Sequence, residues 1–187
     1  MKHIGTCTLE TDRLILRRFR MDDAQAMFDN WASDPEVTKY LTWPAHSSVE
    51  ISRMVLHDWV EGYERDDHYQ WGIVLKGGDG KPIGSISAVR MYEKINGVEI
   101  GYCMGRPWWG GGIMTEALKA VIGFFFERVG VNRVQACHDA NNPASGGVMA
   151  KAGMTYEGTL RQSGVNNQGI VDLCYYSILA EEWNNNH

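Results

Sequence analysis

The sequence lacks the marks of a metal protein, a secreted protein, a membrane protein or a nucleic-acid binder. Its four cysteines, Cys7, Cys103, Cys137 and Cys174, lie far apart and form no C-x-x-C pair. They read as free, mostly buried thiols of a reducing compartment. None of the six histidines stands in an H-x-x-x-H or H-E-x-x-H arrangement, so no metal site is expected. Basic residues are in deficit: 18 Lys and Arg face 23 Asp and Glu, for a net charge of −5. That leaves no bulk basic character for nucleic acid to meet. "MKHIGTCTLETD" has no apolar signal-peptide core. The longest apolar run, Val121 to Phe126, is broken by Gly123 and is too short to span a bilayer. The expectation is a cytoplasmic protein with no membrane or nucleic-acid partner.

What is present fits one globular domain. The chain has 187 residues, 44% hydrophobic and 22% charged, enough to bury a good core. The domain is expected over 9–183, with flexible ends at 1–8 and 184–187. "RLILRRF" (Arg13 to Phe19) reads as a first strand. Asp22 or Asp23 then caps a helix reaching Trp31. Ser33 to Ser48 is a loop with two prolines and several aromatics. Ser47 and Glu50 have capping-box spacing, followed by Ile51, Met54, Val55 and Trp59 as an apolar helical face. Strands are expected at Tyr69 to Leu75, Ile83 to Arg90 and Gly97 to Met104. A helix follows from Thr115 to Arg128, with Leu118, Val121, Ile122, Phe125 and Val129 at helical spacing. Then come a strand at Arg133 to His138, a short helix from Asn141 to Gly153, and a hairpin of Thr155 to Gln162 with Ile170 to Leu179. The order is α/β, with a largely antiparallel start and a crossover near the glycines.

"MGRPWWGGGIMTEALKAVIGFFF" poses the functional question. Three consecutive glycines, Gly110 to Gly112, precede a helix. Glycine there lets backbone come close to something, and the free amides of a first helical turn favour an anion. A nucleotide-hydrolysing phosphate loop is excluded, because Gly111 and Gly112 stand where Lys and Ser/Thr are needed. A dinucleotide fingerprint is excluded by the missing third glycine and the mid-chain position.

Four segments, in order, resemble the GNAT superfamily of acetyl-CoA-dependent N-acetyltransferases: "ETDRLILRRF", "SDPEVTKYL", "EIGYCM…WWGGGIMTEAL" and "NNPASGGVMAKAGMTYEGTLR". The chain is most similar to the RimJ/RimL type, which modifies the N-terminal amine of ribosomal proteins. The resemblance covers roughly Leu9 to Trp183. It implies a single-domain GNAT fold: a mixed sheet of about six to seven strands, splayed at the cofactor cleft and flanked by about four helices. It also implies acetyl-CoA as cosubstrate.

Carried over residue by residue, the resemblance assigns a pyrophosphate loop, Q/R-x-x-G-x-G/A, to Trp109, Gly110, Gly111, Gly112, Ile113 and Met114, with Thr115 opening the helix. Trp109 replaces the usual Gln or Arg, and Met114 the small last residue. Tyr102, Cys103 and Met104 would form the strand edge along which the pantetheine arm adds, with an amide near Met104 polarising the thioester carbonyl. Asn142 would bond the pantetheine, and Ser145 would serve the departing thiolate. Met149 stands where many relatives keep a tyrosine acid. Either polar residue could instead merely cap its helix.

Candidates for the general base are Glu99 first, then His138 and Glu157. A carboxylate inside an apolar strand needs a partner or a task. Cys103 and Cys137 read as core residues. Asp34, Glu36, Tyr40 and Trp43 could face a cationic amine, or simply pack and solvate the loop. The acceptor is expected to be a primary amine, either a protein N-terminus or a small polyamine, amino acid or aminoglycoside. A non-catalytic acyl-CoA sensor is the alternative, and a homodimer is left open.

Overall fold

The computed structural model describes residues 1–186. Eight strands form one mixed sheet in the order β1-β2-β3-β4-β5-β6-β8-β7. In chain order they begin with β1 (Leu9–Glu10) and β2 (Leu14–Arg17). A 3-10 turn, α1 (Ala24–Met27) and a π-helical segment (Phe28–Ala32) follow, then α2 (Pro35–Thr38) and α3 (Val49–Gly62). β3 (Gln70–Leu75), β4 (Pro82–Tyr92) and β5 (Gly97–Met104) complete the antiparallel half. α4 (Ile113–Phe124) runs into a second π segment and leads to β6 (Arg133–Asp139). α5 (Pro143–Lys151), β7 (Thr155–Asn166), β8 (Gly169–Leu179) and α6 (Ala180–Asn186) complete the described chain.

The α/β class and mixed sheet agree with the expectation; the sheet has one strand more than the expected six to seven, and six α-helices replace four. The extra elements are short, from two residues in β1 to seven in α6, and such spans leave no readable period. Residues 1–8, expected to be flexible, are bonded to the body: Lys2 N–H donates to Val129 O at 2.8 Å, and Thr6 is 2% exposed. Of the expected loose tail, α6 includes residues through Asn186, and His187 lies outside the described residues.

The sheet has two covered faces. α4 and α5 pack on one, with Val98 and Ile100 of β5, Val134 and Ala136 of β6, and Leu118, Val121 and Ile122 of α4 in one core. α1, the first π segment and α3 cover the other around Phe19, Met27, Trp31 and Leu56. Gly123 meets Trp183 of α6, which stacks on Phe126. α3 buries a face that overlaps the expected one: Val55 and Trp59 pack on the core as expected. Leu56 and Ser52 are buried, while Ile51 and Met54 are exposed, Met54 by 70%. Its N-cap is Ser48, one residue after the capping-box position.

β5 and β6 pair in parallel through only three registers, Gly97↔Arg133, Val98↔Val134 and Glu99↔Gln135. Beyond Glu99, β5 stays with β4 to Met104, and β6 stays with β8 to Asp139. The sheet therefore divides above Glu99 into two antiparallel halves.

Candidate active site

The division of the sheet is flanked by the starts of two helices. At the β5 end, Gly105 approaches the first π segment so closely that a Cβ would lie 2.2 Å from Asn30 O. The chain then makes a 3-10 turn (Arg106–Trp108) and enters the glycines. Gly110 and Gly112 have φ of 78° and 74°, a region that disfavours any side chain. A Cβ on Gly110 would meet nothing within 4 Å, so the space before it is open. Gly112 is the N-cap of α4, which starts two residues before the expected Thr115. The first helical bond is Glu116 N–H to Gly112 O at 3.1 Å. The amides of Ile113, Met114 and Thr115 precede it and are outside the helical ladder. Trp109 is half exposed, and its indole N–H donates to Met104 O at 2.7 Å.

At the β6 end, Asn142 is the N-cap of α5, and its side chain makes no capping bond. Ser145 lies in the first turn. The Tyr102 hydroxyl lies 3.0 Å from both Ser145 O and Ser145 Oγ; when it donates to Oγ, the serine keeps its own proton for another acceptor. Burial pushes the Tyr102 phenol well above its ordinary range. Met149 is 1% exposed within the core. The bond from Tyr102 thus spans the gap between β5 and α5.

Glu99 stands at the last paired register, on the opposite face from Tyr102 by alternation. Its Oε2 accepts from Tyr92 Oη at 2.6 Å and Gln135 Nε2 at 2.9 Å. Its Oε1 faces Cys137 Sγ at 3.9 Å. Burial, then the Glu99 charge, push the Cys137 thiol up to about 11. Burial pushes Cys103, beside Ser85, up to about 11 as well. Both remain thiols at neutral pH.

The other two base candidates have different surroundings. Arg133 holds Glu157, with Nη1 to Oε1 at 2.8 Å and Nη2 to Oε2, and pulls its carboxyl down to about 2. His138 donates from Nδ1 to Asp139 O at 2.7 Å, and its Nε2 is buried without a partner among the described residues. That nitrogen backs onto α5, where a Cβ on Gly146 would lie 2.5 Å away.

On the face carrying Glu99, Asp34 is already engaged. It caps α2 through Glu36 N–H at 2.9 Å and pairs with Arg106 Nε at 2.6 Å. Both line a recess of about 430 Å³ with Asp29, Asn30, Pro107 and Trp108. The Glu36 carboxylate has no partner among the described residues, Tyr40 lies under Lys39, and Trp43 packs on His46. The grouping of metal-ligating side chains among the described residues is His57, Asp58 and Glu61, all exposed on α3. No helix among the described residues is long and apolar enough to cross a membrane.

Two contributing residues were not among the expected ones. Arg13, taken for a charge flanking a strand, reaches the glycine loop: Nη1 donates to Gly111 O at 3.0 Å and Nε to Glu116 Oε2 at 2.6 Å. Asn167, in the Asn166-Asn167-Gln168-Gly169 turn, donates from Nδ2 to Thr38 O and Trp43 O, each at 2.8 Å. It ties the hairpin to the loop after α2, across the gap between the sheet halves. To Tyr102, expected at the strand edge, the structure adds the hydroxyl contact with Ser145. The available signals were an arginine just ahead of an alternating strand and a polar turn quartet.

Residues 13–155 match the acetyltransferase (GNAT) domain family. The chain belongs to the GNAT acetyltransferase family. It is an N-acetyltransferase, with relatives of the RimJ/RimL type. It is 33% identical to the uncharacterized N-acetyltransferase YoaA of Bacillus subtilis (strain 168) over 91% of this chain and 96% of that one. It is 26% identical to the [ribosomal protein uS5]-alanine N-acetyltransferase of Escherichia coli (strain K12) over 80% of this chain and 79% of that one. The solved structure of RimL, a ribosomal L7/L12 α-N-protein acetyltransferase in complex with coenzyme A, shares the fold. Its TM-score is 0.82 at 20% identity, over 94% of this chain and 99% of that one.

Proposed function

We propose that this GNAT enzyme transfers the acetyl group of acetyl-CoA to a primary amine by direct attack in a ternary complex. The observation that carries the reading is the end of β5–β6 pairing at Glu99↔Gln135, with the starts of α4 and α5 on either side. An extended pantetheine can add to the freed β5 edge at Tyr102, Cys103 and Met104. The site fits the cosubstrate: the Gly110 backbone is uncrowded, and the Ile113, Met114 and Thr115 amides are outside the helical ladder. Together with Trp109, Gly111 and Gly112 they form a cradle for the diphosphate. The coenzyme A in the RimL structure supports the same cosubstrate here.

The two sheet faces divide the chemistry. Glu99 Oε1, free of the two bonds that hold Oε2, takes the amine proton directly or through a water. Ser145, on the α5 side, gives a hydrogen bond or proton to the departing thiolate, with Tyr102 holding its hydroxyl. The Met104 amide stabilises the developing oxyanion. Asn142, whose side chain is not spent on a cap, bonds the pantetheine. Glu157 is too tightly held by Arg133 to compete as base. The acceptor enters on the Glu99 face, under the loop tied by Asn167. The relative acting on uS5 favours a protein N-terminus, with small cationic amines as the other arm of the test.

The experiment is calorimetric titration with acetyl-CoA, then thiol release over a panel of peptides with free N-termini and small polyamines, amino acids and aminoglycosides. Binding and acetylation of at least one amine are expected. Gly112→Glu, which puts bulk and negative charge at the cradle, should abolish binding. Binding with no acetylated amine would favour an acyl-CoA sensor, and unchanged affinity in Gly112→Glu would remove the diphosphate from this loop.

A further inference from the structure

We propose that Arg13 is a positioning residue for the diphosphate cradle, fixing the Gly111–Gly112 peptide and screening Glu116 from the anion. This rests on the acetyl-CoA reading above. A peptide between two glycines has little steric hindrance to flipping. In a trans peptide the carbonyl and the following N–H point in opposite directions. Arg13 Nη1 holds the Gly111 carbonyl at 3.0 Å. The Gly112 N–H of the same peptide must then point away from the guanidinium, toward the side of the cradle. The contact continues past that bond, because Nη2 lies 3.6 Å from where a Gly112 Cβ would stand.

The second role is electrostatic. Glu116 carries a negative charge in the first turn of α4, where it would repel a diphosphate. The structure surrounds it with donors. Oε2 takes Arg13 Nε at 2.6 Å, and Oε1 takes Arg13 N–H at 3.0 Å and Thr11 Oγ1 at 2.5 Å. Thr11 in turn accepts from Leu14 N–H at 3.0 Å, fixing the cluster to the start of β2. The guanidinium bonds Glu116 and Gly111 with differently directed N–H groups. An ammonium on a flexible stem does not preset that geometry. The strand start therefore determines which way a loop some hundred positions later presents its amides.

The test uses the full chain and two donors, acetyl-CoA and S-acetylpantetheine, which lacks the diphosphate. Coenzyme A affinity is measured by calorimetry for wild type, Arg13→Ala, Arg13→Lys, Glu116→Gln and the double variant Arg13→Ala/Glu116→Gln. Arg13→Ala should weaken coenzyme A by about 10- to 100-fold, the scale of a lost charge-assisted bond. Its KM for acetyl-CoA should rise in step, with kcat within about twofold. Transfer from S-acetylpantetheine should match wild type. The double variant should bind more tightly than Arg13→Ala, because the unscreened carboxylate is gone. Arg13→Lys, which keeps the charge, should still lose several-fold in affinity. Arg13→Ala binding coenzyme A as wild type does would overturn the proposal, as would equal losses with both donors. Should Arg13→Ala fail to fold, Arg13→Lys decides: wild-type affinity there rejects the peptide-fixing role. Failure of wild type itself to bind coenzyme A would instead reject the acetyl-CoA reading.

Discussion

At the scale of single residues, the site depends on which polar atoms are already engaged. Glu157, Asp34 and Glu99 are all carboxylates near the divided sheet, but the first two are held by arginines. Only Glu99 keeps one oxygen, Oε1, clear of hydroxyl and amide donors. Ser145 shows the complementary arrangement, a hydroxyl that can accept from Tyr102 and so keep its own proton for another acceptor. Ser145→Ala should therefore lower kcat by about 100-fold, in the range for losing a general acid. Coenzyme A affinity should change less than about threefold, as read by calorimetry. A turnover equal to wild type would take Ser145 out of the chemistry.

At the scale of elements, three strands are stitched by one polar cluster. Arg133 of β6 bonds Glu157 of β7 and Ser177 of β8, and Ser177 also donates to Glu157 at 2.7 Å. Arg133 lowers the Glu157 carboxyl from 4.5 to about 2. The folded pKa is below the unfolded one, so the contribution is complete above about pH 4.5 and fades as pH falls toward 2. Glu157 is half exposed, so solvent screening limits this to about 1 kcal/mol or less. Glu157→Gln should melt below wild type at pH 7, with the gap closing across that acid window. A gap that persists at pH 2 would contradict the assignment, and a lost acidic limb in the pH–rate profile would make Glu157 the base.

The legibility of each element had a physical cause. α4 was readable because Leu118, Val121 and Ile122 are all buried on one face. The α3 face was legible only in part, through Val55 and Trp59, because Ile51 and Met54 are apolar yet exposed, while the buried Ser52 offers no hydrophobic signal. β7 continues four residues past the expected Gln162. A register shift between Leu160 and Gly164, with Gln162 at φ 50°, breaks the alternation there. The glycine loop and the helix opened by Asn142 were legible as local patterns. Arg13 on Gly111, and Asn167 on Thr38 and Trp43, were not, because each joins segments about a hundred residues apart and no local period encodes that.

At the scale of the whole molecule, two antiparallel halves share three parallel registers and then separate. Tyr102 and Asn167 each cross the separation, one to α5 and one to the end of α2. In the proposed complex this opening receives the acyl arm, while the backbone from Gly110 to Thr115 receives the diphosphate. A crystal structure of the complex with acetyl-CoA measures that placement directly. The diphosphate is expected against those amides and the thioester between β5 and β6, with its sulfur toward Ser145. Density for the cofactor at another surface, with the opening vacant, would contradict it.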